Sequence, residues 1–165
     1  MRRLLGMVAL AVAGPTSAMT GTVTHVTDGD TVWVRVDRER PVSVRLHGLD
    51  APERCQTGGA DATDALAARV LRRQVTVDTK ATDTYGRTVG TVTLDGEDIG
   101  AWLVREGHAW SVGYHHSKGP YADAERSARR AHRGVFSAAD PQPPWVFRKA
   151  HGACPRAPRL TRTPR

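Results

Sequence analysis

A chain of 165 residues, 39% hydrophobic and 25% charged, has the size and composition of one soluble globular domain, which excludes fibrous, low-complexity and disordered classes. Its formal charge of +7 is unevenly spread: residues 19–147 hold 16 basic and 17 acidic side chains, whereas Arg148, Lys149, Arg156, Arg159, Arg162 and Arg165 follow with no acid among them. The basic footprint is therefore a tail, suited to a polyanion or to solvated disorder, and the body carries no overall basic field.

In chain order, residues 1–18 come first. Arg2 and Arg3 precede an apolar run from Leu4 to Gly14, within the ~7–15 residues of a signal-peptide core. Thr16-Ser17-Ala18 then supplies small residues before a cut after Ala18. The run falls short of the ~20 apolar residues of a membrane span. An apolar N-terminus or an uncleaved anchor is the other reading. The expectation is export to the periplasm or the medium, with no stable membrane association after cleavage. In that compartment the pair Cys55 and Cys154 predicts one disulfide; in a chain never exported they would be two free thiols.

Residues 21–27 read as a first strand, with Val23 and Val26 apolar, and Asp28-Gly29 as a turn. Val32, Val34 and Val36 alternate with Thr31, Trp33 and Arg35 in a second strand; Val42, Val44 and Leu46 make a third. These three strands form a meander. Residues 61–73 change period: Ala62, Ala65, Leu66, Arg69, Val70 and Arg73 fall at helical spacing in alanine-rich sequence. Residues 74–79 and 87–94 supply the fourth and fifth strands. Ile99, Leu103 and Val104 mark a short helix stopping near Gly107, and residues 121–133 a charged one ending at Gly134. Beyond Pro141 the proline- and arginine-rich chain predicts irregular structure. The order implies an α+β protein: a five-stranded OB-fold barrel flanked by three helices. The organisation expected is a signal peptide over 1–18, the barrel domain over 19–140, and a basic tail over 141–165.

Three patches stand out: Asp28-Gly29-Asp30-Thr31, Arg45-Leu46-His47-Gly48-Leu49-Asp50-Ala51-Pro52-Glu53, and Asp83-Thr84-Tyr85-Gly86-Arg87. Singly, each has a plain structural reading: a turn, a helix start with Asp50 as cap and Pro52 early in the helix, and a hairpin turn. Together they supply carboxylates, hard oxygen ligands that suit Ca2+ or Mg2+ rather than zinc, and arginine forks that match phosphate oxygens. Phosphodiester hydrolysis needs both. Gly29, Gly48 and Gly86 let the backbone bend beside these side chains.

In this order and spacing the patches, with Leu103-Val104-Arg105-Glu106-Gly107 and the charged last helix, resemble the staphylococcal nuclease family over residues 21–138. The resemblance implies an OB barrel and a secreted or periplasmic, Ca2+-dependent, monomeric nuclease acting on DNA, RNA or both. It implies Asp30 and Asp50 as calcium carboxylates, the Ala51 carbonyl as a further ligand, Arg45 and Arg87 on the scissile phosphate, Glu53 as the general base, and Tyr85 against the nucleotide. Asp28 matches a nearby acid of secondary role. The family's products would carry 3′-phosphates. The chain departs from the prototype at Trp110-Ser111-Val112-Gly113-Tyr114-His115-His116, where Tyr114 or His115 is expected to replace the usual nucleotide-packing tyrosines. His115-His116 reads as a surface loop or a phosphate contact. An OB module that binds nucleic acid without cutting it is the alternative function, but such modules lose site residues that this chain keeps.

Overall fold

The computed structural model describes residues 18–113, 117–152 and 154. Strands β1 (Ala18–Asp28), β2 (Thr31–Arg35) and β3 (Val42–Leu46) form the expected antiparallel meander, in which Val23 faces Val34, Val26 faces Val32 and Val32 faces Val44. A two-residue strand β4 (Leu49–Asp50) follows, then helix α1 (Gly59–Val70). Strand β5 (Gln74–Thr82) pairs with the free side of β1, and β6 (Thr88–Leu94) pairs with β5. The sheet order is β3-β2-β1-β5-β6, and β3 returns to lie parallel to β6, with Val44 opposite Thr88 and Arg45 opposite Val89. That contact closes a five-stranded barrel of the OB type and leaves β3 without an open edge.

The alternation of valine with polar residues produces the closed interior. Val23, Val32, Val34, Val44, Val75 and Val77 are at most 1% exposed and point inward. The barrel is capped by α1, which contributes Ala62, Leu66 and Val70, and by α2 (Ile99–Arg105), which contributes Ile99, Leu103 and Val104. A short strand β7 (Glu97–Asp98) leads into α2, and the Asp98 carboxylate accepts the Ala101 N–H at 3.1 Å as its N-cap.

A second small core, with Trp110 edge-on to Phe136 at 5.2 Å and Ala128 beneath, docks α3 (Ala122–Arg130) and a 3₁₀ turn (Gly134–Ser137). Strand β8 (Trp110–Ser111) pairs with β4, opposing Trp110 to Asp50. Among the described residues no helix is long and apolar enough to cross a membrane. The expected signal segment, residues 1–17 of it, lies outside the described residues.

The tail does not follow its expectation. Residues Pro144–His151 form a fourth helix, α4. Pro144 sits at the first helical position and Gly152, at φ 74°, ends it. This is the placement each residue favours: proline because its missing N–H is an orphan there, glycine because it tolerates a positive φ. The Cys55–Cys154 disulfide, as expected, ties the end of this helix to the loop after Glu53. Gln56 adds a second tie, its amide donating to the Gln142 carbonyl at 2.7 Å.

Candidate active site

The turn between β1 and β2 places Asp30 at the mouth of the barrel. Asp28 Oδ1 accepts the Asp30 N–H at 3.2 Å, and Leu46 donates its N–H to the Asp30 carbonyl at 2.8 Å. The Asp30 carboxylate is 4% exposed and receives three hydrogen bonds: Thr31 Oγ1 at 3.0 Å and Arg45 Nη1 at 2.6 Å on Oδ1, and the Ala51 N–H at 3.2 Å on Oδ2. Arg45 leaves β3 opposite Thr31 and also donates from Nη2 to Asp50 Oδ1 at 3.1 Å, so one guanidinium bridges the two carboxylates. Asp50 lies in β4 at 5% exposure; it is not a helix cap.

Gly29 is required for close approach rather than for bending. A Cβ there would stand 2.7 Å from the methyls of Ala51 and Ala62. The bend falls to Gly48 and Gly86, at φ 77° and 78°.

The third patch is the hairpin between β5 and β6. Asp83 Oδ1 accepts the N–H groups of Tyr85 and Arg87, each at 2.9 Å, and Oδ2 takes Arg87 Nε at 2.7 Å. The plain reading of this patch as a turn holds, and the turn fixes Arg87 through Asp83. Tyr85 is 84% exposed, with the Arg87 guanidinium 5.4 Å from its ring centroid. A cleft of about 380 Å³ brings Asp28, Asp30, Ala51 and Glu53 together with Arg45, Arg87 and Tyr85. Tyr114 and His115 lie outside the described residues.

Burial pushes the Asp30 carboxyl up to about 7; Arg45 opposes this, while Asp28 and Asp50 add to it. Burial works against the charge of Arg45, but Asp30 and Asp50 outweigh it and hold the guanidinium more firmly charged than usual. Within the barrel the two buried carboxylates thus share one guanidinium.

Among the described residues no three carboxylate, imidazole or thiol side chains converge as a ready ligand set. Two carboxylates 20 residues apart, Asp30 and Asp50, held side by side on one guanidinium, still fit a hard cation that takes its remaining oxygens from a carbonyl, water and phosphate. Zinc, which favours nitrogen and sulfur, finds no such set among the described residues.

One residue of the cleft went unseen in the sequence. Arg148 of α4 donates from Nη2 to Asp50 Oδ2 at 2.7 Å and from Nη1 to Asp50 Oδ1 at 3.2 Å and Glu53 Oε1 at 2.9 Å. It lines the same cleft, and hydrogen bonds to Asp50 and then Glu53 raise its pKa above the ordinary arginine value. Arg148, the first residue of the basic run, thus lies in the cleft and not in solvated tail. Pro144 and Gly152 could have signalled the helix that delivers it; nothing local to Arg148 could have signalled its partners.

Comparison with known proteins agrees with this geometry. A family model described as "Staphylococcal nuclease homologue" matches residues 43–138. The chain is 39% identical over 164 residues to "Protein ParB" of Escherichia coli, covering 90% of each chain. It is 36% identical over 165 residues to "Micrococcal nuclease" of Shigella flexneri, covering 91% of this chain and 92% of that one. An "Uncharacterized endonuclease" of Escherichia coli O157:H7 is 38% identical over 129 residues, or 78% of this chain and 84% of the relative.

Proposed function

We propose, since this chain belongs to the staphylococcal nuclease family, that it hydrolyses phosphodiester bonds in DNA, RNA or both with Ca2+ as its cofactor. The observation that carries the reading is the meeting of two arginines, a glutamate and buried Asp30 in one cleft, with buried Asp50 joined to it through Arg45, drawn from the β1–β2 turn, β3, β4, the loop after β4 and the β5–β6 hairpin. Asp30, Asp50 and the Ala51 carbonyl would hold the ion. Bound there, Ca2+ would offset charge developing on the phosphorus oxygens and acidify a bound water.

The protein's own side chains supply the rest. Arg45 and Arg87 donate to the phosphate oxygens and stay charged throughout, because a guanidinium does not release its proton near neutrality. Asp83 accepts from Arg87 Nε, and among the described residues no hydrogen bond engages the Arg87 Nη atoms, which keeps that edge of the fork for substrate. Glu53 takes the proton of the attacking water as the water oxygen bonds to phosphorus; the ester oxygen leaves with the bonding pair. The exposed Tyr85 ring offers a face to a base or sugar.

The compartment is read as periplasmic or extracellular, on the apolar leader and the disulfide, and the protein as a monomer. The test is digestion of plasmid and of RNA by the purified mature protein with Ca2+, with Mg2+ and with excess chelator. Cleavage with Ca2+, weaker or absent with Mg2+, and lost with chelator is expected, because Mg2+ demands tighter octahedral geometry. Undiminished cleavage in chelator would overturn the metal requirement. Binding without cleavage in any divalent ion would make the protein a binding module instead.

A further inference from the structure

We infer that Arg148 is a third substrate-binding arginine of this site, parked on Asp50 and Glu53 while the cleft is empty and turned to the phosphodiester when a divalent ion takes Asp50. The inference rests on the phosphodiesterase reading above and extends it to a helix outside the barrel.

Charge balance motivates it. Asp28, Asp30 and Glu53 line the cleft, Asp50 meets it through Arg45, and Asp83 pairs with Arg87, so the barrel sets only two arginines against five carboxylates. Those two arginines and one divalent ion would fall one charge short of the five carboxylates. A phosphodiester is an anion, so it would enter a site still negative. Arg148 removes that deficit.

Its present contacts are of the kind that an ion can exchange. Arg148 grips Asp50 with both Nη atoms and Glu53 with one. These are the family's metal carboxylate and its base, so the guanidinium stands where positive charge is wanted before any ion or substrate arrives. Its side chain is 40% exposed, against 7% for Asp50, so it can swing out while Asp50 stays fixed. It cannot swing far. Cys154, six residues on, is bonded to Cys55, two residues beyond Glu53. Release from Asp50 therefore leaves the guanidinium beside the cleft, with its planar fork open to phosphate oxygens.

The experiment uses the full mature protein, disulfide intact, as wild type, Arg148→Gln and Arg148→Lys, with Lys149→Gln as a control on the same helix. Calorimetry with Ca2+ and no nucleic acid is read beside steady-state cleavage of a DNA oligomer. Arg148→Gln is expected to bind Ca2+ more tightly, since its competitor for Asp50 is gone. It is expected to raise KM for DNA about tenfold, the size of one lost charge-assisted hydrogen bond, with kcat nearly unchanged. Arg148→Lys should recover part of the KM, and Lys149→Gln should match wild type.

Tighter Ca2+ binding with an unchanged KM would overturn the substrate role, leaving Arg148 a competitor only. A fall in kcat at constant KM would overturn it in favour of a residue that positions Glu53. Unchanged Ca2+ affinity in a wild type that does bind Ca2+ would sink the exchange while sparing the phosphodiesterase reading. A wild type that neither binds Ca2+ nor cleaves would remove that reading, and this inference with it.

Discussion

Arg45 and Arg87 share a proposed task but not a structural one, and their replacement should separate the two. Arg45 bridges two nearly buried carboxylates, whereas Arg87 pairs with Asp83 in an exposed turn. Arg45→Ala, Arg87→Ala and Glu53→Ala should each lower kcat/KM by ~10²–10³, the effect of one lost transition-state contact. Only Arg45→Ala should also lower stability, because it leaves Asp30 and Asp50 without their common partner. The full cost of breaking a buried pair is ~3–5 kcal/mol; partial exposure of Arg45 and the ease of protonating Asp30 reduce that to about 1–3 kcal/mol. Thermal unfolding beside kinetics checks this, and equal melting temperatures for the Arg45 and Arg87 variants would contradict it. His108 offers a pH handle away from the site. Burial beside Trp102 depresses its pKa, with Glu106 and Asp61 opposing. The folded protein therefore binds fewer protons at His108 than the unfolded chain does just below pH ~6.5, so the His108 contribution to stability should fall as pH drops through that value, opposite in sign to that of Asp30, whose raised carboxyl gains stability on protonation. His108→Gln should remove the falling contribution, so that pH-dependent denaturant titration shows the variant gaining on the wild type as pH drops.

At the scale of elements, the helix α4 is the least locally secured. Its own eight residues would be marginal in water, and the Cys55–Cys154 bond, closing a separation of 99 residues, is what fastens it. Cys154→Ser should lower stability by ~2–4 kcal/mol and open the Arg148–Lys149 segment to trypsin, with cleavage followed by mass measurement. Equal resistance with and without the bond would show that Gln56 and the packing of Pro144 suffice. The same element marks where the sequence was legible and where it was not. Val23, Val32, Val34 and Val44 announce their strands because burial on one face imposes a period of two, and Ala62, Leu66 and Val70 announce α1 by a period near 3.6. Asp30, Asp50, Glu53, Arg45 and Arg87 were legible as a set only through their family pattern. Arg148 was not, because its meaning lies in Asp50 and Glu53, far back in the chain, and no local period records that. The strand order implied a barrel, and the parallel pairing of β3 with β6 is what closes it.

For the whole molecule, the uneven charge has a measurable reading. Arg156, Arg159, Arg162 and Arg165 follow Cys154 and can be removed without touching α4 or the disulfide. Each phosphate they neutralise on duplex DNA should contribute ~0.9 to the slope of log affinity against log salt. Truncation after Cys154 should flatten that slope and leave kcat intact, whereas truncation before Arg148 should raise KM for DNA as well. Identical slopes with and without residues 155–165 would show that those arginines do not meet the polyanion.

The pairing of Arg45 with Val89 across the β3–β6 contact sets when activity can first exist. Arg45 and the hairpin that ends in Arg87 become neighbours only once two strands distant in sequence have met, and non-local pairing of this kind is slow to form. Before that, the chain has its carboxylates and guanidiniums but no common cleft to hold a phosphate. A newly made or incompletely folded copy should therefore be harmless to the nucleic acid around it, and cleavage should appear with the closed barrel, not ahead of it.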